Sequence, residues 1–307
     1  LQTDSSYATI LYVSFKKAGI FIMVLQKDLM DSTGSAAASG REGKANSLLA
    51  RFPWKIFSII FAAAYLFVVA FFGDVDAAAM LSYFLGQVVF TLLPGMAFAS
   101  LVRITGNKIK FICLSYFLGI FINIICYIAV YLAGAPDALL WVLIAVSALS
   151  LILIYKKRDV LKSLREDNAG AAMLSLVTAG LLIVILVYTI LNNFTPDFTP
   201  NTFYYHDMLF NTGNITALYL RFPPLDIRDL GMSFNYHYLY TIFLAVYKNI
   251  FGISSFNLNF KLFPVTQILL FASSFYILFS RYIKNMLFAG IAIVLVLLSD
   301  EFIFIHV

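Results

Sequence analysis

The sequence predicts an all-α fold: a polytopic transmembrane helical bundle of about seven spans, with an external loop carrying amphipathic surface helices. Three observations predict it. Hydrophobic residues make up 62% of the 307 and charged residues 12%, against about 45–50% and about 25% in an ordinary soluble domain. The apolar residues fall in continuous runs near the roughly 20 residues that a spanning helix needs. The basic residues gather at the ends of those runs, as membrane topology requires. A bilayer accepts only helices or closed barrels, and barrel strands would read as short alternating segments.

Residues 1–50 are expected to form a flexible segment without an assigned function. "YATILYVSFKKAGIFIMVLQ" is apolar but broken by Lys16 and Lys17, and "DSTGSAAASGREGK" is polar and turn-rich. The chain starts at Leu1 and ends in "SDEFIFIHV" directly after a span, so a fragmentary start and a truncated end are both expected.

From residue 51 the pattern is regular. Four N-terminal transmembrane helices are expected within 51–169, at 56–73, 78–102, 111–133 and 137–155. A fifth at 170–191 opens the second portion, 170–307. Arg51 and Lys55 precede the first span, Arg103, Lys108 and Lys110 separate the second from the third, and "YKKRDVLKSLRED" separates the fourth from the fifth. The positive-inside rule places these flanks in the cytoplasm and the loop 192–255 outside. The run 235–252 is almost long enough to span, but crossing would leave Arg281 and Lys284 outside. It is therefore expected to lie on the outer surface, or to dip in and return. Two further spans, 256–280 and 286–303, bring the count to seven.

The net charge of +5 sits at helix ends and does not point to nucleic acid. Cys113 and Cys126 share one apolar segment and form no metal motif. Gln87 and Asn123 lie inside spans, where interhelical hydrogen bonding is their expected role.

The ionisable residues concentrate in 192–255. On a helix over 204–220, Asp207, Asn211 and Asn214 share one face, with Met208, Ile215 and Leu218 to the side. Such a helix would rest at the membrane surface. Asp207 in its first turn also suits the helix dipole without any further role. Asp226, Arg228 and Asp229 follow a Pro-Pro turn, where a solvated loop with a local ion pair is the plainer expectation. Tyr236, Tyr238 and Tyr240 fit an interfacial aromatic belt. Lys248 would snorkel or meet a lipid phosphate. The sequons at Asn193 and Asn214 are short enough to arise by chance.

The order of "HDMLFN", "FPPLDIRDLG", "YHYLY" and "FGIS" after a span resembles the first external loop of the GT-C superfamily. These are integral membrane glycosyltransferases that use polyprenyl-phosphate-linked sugars, including bacterial members like protein O-mannosyltransferases. The resemblance covers about 170–305. It implies that Asp207 is the external catalytic aspartate. Some relatives pair that aspartate with an acid; here the neighbour is His206. Four extra spans precede the GT-C-like portion, as in some bacterial polysaccharide-related members.

The implied reaction is inverting transfer of a sugar from a polyprenyl phosphate to a saccharide or protein acceptor. The expected place is the external face of a bacterial-type inner membrane. A general base must take the acceptor proton, and a carboxylate at a dry interface has a pKa suited to that task. Arg228, His237 and Lys248 are candidates to meet the leaving phosphate. His206, Asp226 and Asp229 complete the candidate substrate-binding set. No cofactor is required, and a divalent metal bridging Asp207 and the phosphate is compatible, although no ligand cluster argues for one. Membrane lipids are the other expected partners. A transporter or flippase of lipid-linked saccharides would place ionisable or polar residues along the spans. A non-catalytic subunit would use the external loop only for docking.

Overall fold

The computed structural model describes residues 45–73, 75–104, 106–191, 206–233 and 239–299. Among the described residues the chain is a helical bundle with one small hairpin. Its elements are α1 (Ala45–Arg51), α2 (Trp54–Gly73), α3 (Ala77–Leu101), α4 (Lys108–Leu132), α5 (Pro136–Lys156), α6 (Arg158–Ser163), α7 (Asn168–Leu191), α8 (His206–Leu220), β1 (Leu225–Asp226), β2 (Asp229–Ser233), α9 (Leu239–Phe251), α10 (Asn257–Tyr282) and α11 (Met286–Ser299). The N-terminal segment 1–44 lies outside the described residues.

Among the described residues four helices, α3, α4, α5 and α10, are long and apolar enough to cross a membrane. The pair α1 and α2 makes a fifth if its 62° bend counts as one broken span. Pro53 stands in that bend, where its missing N–H interrupts the helical ladder. Fewer spans are therefore found than the seven expected. The stretch Asn168–Val184 of α7 and Met286–Leu297 of α11 are apolar but shorter. The α7 helix continues to Leu191, and the expected span 286–303 runs past the described residues.

The helix surfaces have the polarity that lipid requires. In α5 only Leu139, Leu143, Ser147 and Ser150 are buried, while Trp141, Leu149, Leu151 and Ile152 are exposed. Apolar residues thus cover both the packed stripe and the outer face, as in a helix whose solvent is hydrocarbon. The closest packing joins α3 to α4. A Cβ on Gly95 would collide with the Ser115 carbonyl, and one on Gly119 with the Thr91 carbonyl. Both glycines are there because the two backbones touch.

One end of the bundle is basic. Trp54 Nε1 donates to Asn168 Oδ1 at 3.4 Å, and Lys108 pairs with Glu166. Asp167 Oδ2 accepts from Asn107 Nδ2 at 2.8 Å and from the Tyr276 hydroxyl at 2.6 Å, and its Oδ1 accepts from Gly170 N at 2.8 Å. Asp167 thereby caps the first turn of α7, and Asn107 caps that of α4 through its Oδ1, which accepts from Lys110 N at 2.7 Å. Their clasp holds the loops 103–110 and 156–166 beside the end of α10. The Lys108 pair holds the exposed Glu166 carboxyl below its ordinary range. The other end of α4, about 37 Å away at 1.5 Å per residue, meets α8.

The expectation of a surface helix over 235–252 is corrected. In α9 every residue from Thr241 to Tyr247 is buried. The helix packs among α3, α4, α5 and α8. The sequence "LYTIFLAVY" is apolar nearly all round, and such a helix belongs in a core. At 13 residues α9 is about 20 Å long, short of the roughly 30 Å hydrocarbon layer. The described part, Leu239–Phe251, enters the bundle and is by itself too short to cross, while residues 235–238 lie outside the described residues. Gly252 follows at φ +67, a left-handed conformation that glycine adopts without strain, and it turns the chain into α10.

Candidate active site

The ionisable loop residues gather around α8. This helix is held through its inner face, where Asn214, Ile215 and Leu218 are buried. Asn214, which sequence placed on one face with Asp207 and Asn211, thus faces the bundle. At 2% exposure, Asn214 is also inaccessible as a glycosylation sequon. The last carbonyls of a helix have no partner of their own. Here α4 supplies them: the Tyr127 hydroxyl donates to Leu218 O, and the Tyr131 hydroxyl to Tyr219 O at 2.8 Å. Asn249 Nδ2 of α9 in turn donates to the Tyr131 hydroxyl at 3.2 Å.

A polar seam fixes the middle of α8. Asn259 Nδ2 donates to Thr212 Oγ1 at 2.9 Å, and the Thr216 and Ser255 hydroxyls are 2.7 Å apart. Asn259 and Lys261 stand on a π-helical turn, Asn257–Leu262, a feature frequent at functional sites. Neither was singled out from sequence. The signal was the polar "NLNFK" opening an otherwise apolar span.

The hairpin docks on the outer side of α8. Strands β1 and β2 pair antiparallel, with Asp226 opposite Asp229. Ile227 in the tight loop lies over Gly213, where a Cβ would meet its Cδ1. Arg228 donates from Nη2 to Asp226 Oδ2 at 2.7 Å, and from Nε and the backbone N to Oδ1 at 3.0 and 2.9 Å. These bonds hold the Asp226 carboxyl at about 2, below the usual carboxylate range. The Arg228 guanidinium also lies 4.5 Å from the centre of the Phe210 ring, a cation–π geometry. The plainer expectation of a local ion pair thus describes Asp226 and Arg228, with docking onto Phe210 added.

The candidate residues therefore divide. Phe210 is three residues beyond Asp207, so Arg228 stands beside the first turns of α8. Lys248 instead lies over the Tyr219 ring, 5.3 Å from its centre. Tyr219 is about 18 Å further along the axis than Asp207 at 1.5 Å per residue. The helix begins at His206, so His206 and Asp207 occupy its first turn; their side chains lie outside the described set. The Asp229 side chain and all of His237 lie outside it too. Among the described residues no three His, Cys, Asp or Glu side chains gather to hold a metal ion. Comparisons with family models, curated proteins and solved structures found no match for this chain.

Proposed function

We propose that this chain is an integral membrane glycosyltransferase. It would move a sugar from a polyprenyl-phosphate donor to a saccharide or protein acceptor at the end of the bundle opposite the basic loops. The observation that carries this reading is the anchoring of α8. Its first turn bears Asp207, and the Arg228 cation is held one turn further on, against Phe210. A base and a cation in that relation suit the two charges of the reaction.

The Asp207 carboxylate would accept the proton of the acceptor hydroxyl. The acceptor oxygen would attack the anomeric carbon from the face opposite the lipid phosphate. The bond from that carbon to the phosphate oxygen would break, and the phosphate would leave with the electron pair, inverting the centre. Arg228 would offset the charge on the departing phosphate. His206, Asp229 and His237 belong to the same segment and would contact sugar or acceptor. Lys248, displaced toward the far end of α8, would meet lipid headgroups. Seven spans, with α7, α11 and the broken pair α1–α2 added to the four already long enough, would suit a bacterial-type inner membrane with this face outward.

The test is transfer of radiolabelled sugar from a polyprenyl phosphate by the purified full chain in vesicles. Labelled product is expected. Donor that neither binds nor reacts would contradict the proposal. One observation favours the flippase reading: Gln87, Thr91, Asn123 and Tyr247 bury polar groups within the bundle. Movement of donor across the vesicle without sugar transfer would select it.

A further inference from the structure

We propose that the polar cluster around Thr91, where α3, α4 and α9 meet, is an internal binding site for ordered water. Thr91 is fully buried, its Oγ1 2.8 Å from the Tyr247 hydroxyl, and it accepts from Asn123 Nδ2 at 2.7 Å. One turn earlier on α3, Gln87 Oε1 accepts from the Tyr116 hydroxyl. Both α3 residues stand on a π-helical turn, Gln87–Leu92. The Tyr83 hydroxyl, 2.8 Å from Thr266 Oγ1, borders the same group, and its ring lies 5.0 Å from that of Tyr247.

This network leaves polar atoms over. Asn123 Oδ1 is buried without a protein partner, and Gln87 Nε2 has none in close hydrogen-bond geometry, its side chain interacting only loosely with the Tyr83 hydroxyl. Turning either amide over does not cure this. The Tyr116 hydroxyl and Thr91 Oγ1 would each engage the other amide atom, and the one displaced would be the orphan. A buried polar group without a partner is costly, and more so where the surroundings are hydrocarbon. Water is the usual remedy for such groups.

The chemistry of the orphans selects the ligand. One is an amide donor and the other an amide acceptor, and water both donates and accepts. None of the residues forming these bonds carries a formal charge, so the set lacks the cations that a phosphate requires and the carboxylates that favour a metal ion. Beside it Gly119 brings the backbones of α3 and α4 into contact at Thr91. Through Thr91 and Tyr247 the Asn123 amide is linked to α9.

The experiment is brief X-ray radiolysis of the full chain in lipid nanodiscs equilibrated with H₂¹⁸O. Hydroxyl radicals born on internal water label the side chains that touch it. Labelling of Tyr247 and Tyr83 is expected several-fold faster than that of Tyr65, a buried tyrosine on α2 outside the cluster. The paired substitutions Gln87→Leu and Asn123→Leu remove both orphans and should lower the Tyr247 rate several-fold. Wild-type rates at Tyr247 and Tyr83 no higher than at Tyr65 would overturn the proposal. So would a Tyr247 rate unchanged in the folded double variant. If that variant fails to fold, the wild-type comparison decides alone.

Discussion

The hydroxyl of Tyr247 lies 2.8 Å from Oγ1 of Thr91, and this pair ties α9 into the bundle. Thr91 also serves Asn123, so the two partners are not equivalent. Tyr247→Phe removes one bond and leaves Thr91 with Asn123. Thr91→Val removes the partner of both. A single interhelical hydrogen bond in a membrane protein contributes about 0.6–2 kcal/mol, and stranded buried groups add about 1–3 kcal/mol. Thermal unfolding in detergent should therefore show Thr91→Val as the more damaging change. The reverse order would mean that the pair does not hold α9.

The glycine contacts of α3 and α4 give a second expectation. Gly95→Ala or Gly119→Ala puts a Cβ into backbone of the facing helix, and overpacking of this kind costs about 1–3 kcal/mol or more. Gly180 of α7 has nothing within 4 Å of a built Cβ. Gly180→Ala should be neutral, or stabilising by up to about 1 kcal/mol through helix propensity. Equal melting temperatures for the Gly95, Gly119 and Gly180 variants would contradict the close crossing.

Orientation can be tested independently. The Asn107–Asp167–Tyr276 clasp gathers the basic loops and the end of α10 at one end of the bundle, so all should report the same side. The charge rule predicts that this side is cytoplasmic. A Ser163→Cys variant should resist an impermeant thiol reagent added from outside, and a reporter fused at Asn285 should read cytoplasmic. External labelling of Ser163→Cys would reverse the orientation. Opposite sides for the two positions would break the shared end.

Helix positions were legible because continuous apolar runs and charged breaks are local. The expected 137–155 lies within α5, 111–133 overruns the end of α4 by one residue, and 78–102 differs from α3 by a residue at each end. The interhelical roles of Gln87 and Asn123 were legible for the same reason, since a lone amide in a span has few other partners. The burial of α9 was not. Lys248 and the tyrosines suggested an interface, yet Lys248 lies at the edge over Tyr219 and the apolar middle of the helix is enclosed. The direction faced by Asn214 was also hidden. Helical spacing put Asp207, Asn211 and Asn214 on one face, but which face turns inward depends on Tyr127, Tyr131 and Asn259, all distant in sequence. Distant pairings such as Arg228 with Phe210 carry no local signature.

The Asp226–Arg228 pair makes a prediction about pH. The Asp226 carboxyl is held at about 2 by the Arg228 guanidinium, below the unfolded value of about 3.9. A carboxyl lowered on folding stabilises the folded form above its unfolded value, and that contribution is lost as pH falls through the folded value. The hairpin should thus keep its dock on Phe210 across neutral and mildly acidic pH and loosen only in strong acid. Carboxyl ¹³C NMR of Asp226 should titrate well below the ordinary range, and Arg228→Gln should raise its midpoint toward that range. An ordinary midpoint in the unaltered protein would mean that the pair does not persist in solution.

The central claim rests on Asp207, and its most direct test is sugar transfer by purified Asp207→Asn in vesicles. Asparagine keeps the shape and removes the basicity. If Asp207 is the general base, the rate should fall about 10²–10⁴-fold, with donor binding and melting temperature unchanged. If the carboxylate only suits the helix dipole, the change should cost about 0.3–1 kcal/mol of stability and spare turnover. Transfer within a few-fold of the unaltered protein, at matched expression, would contradict the account and turn attention to Asp197, Asp226 and Asp229 of the same loop.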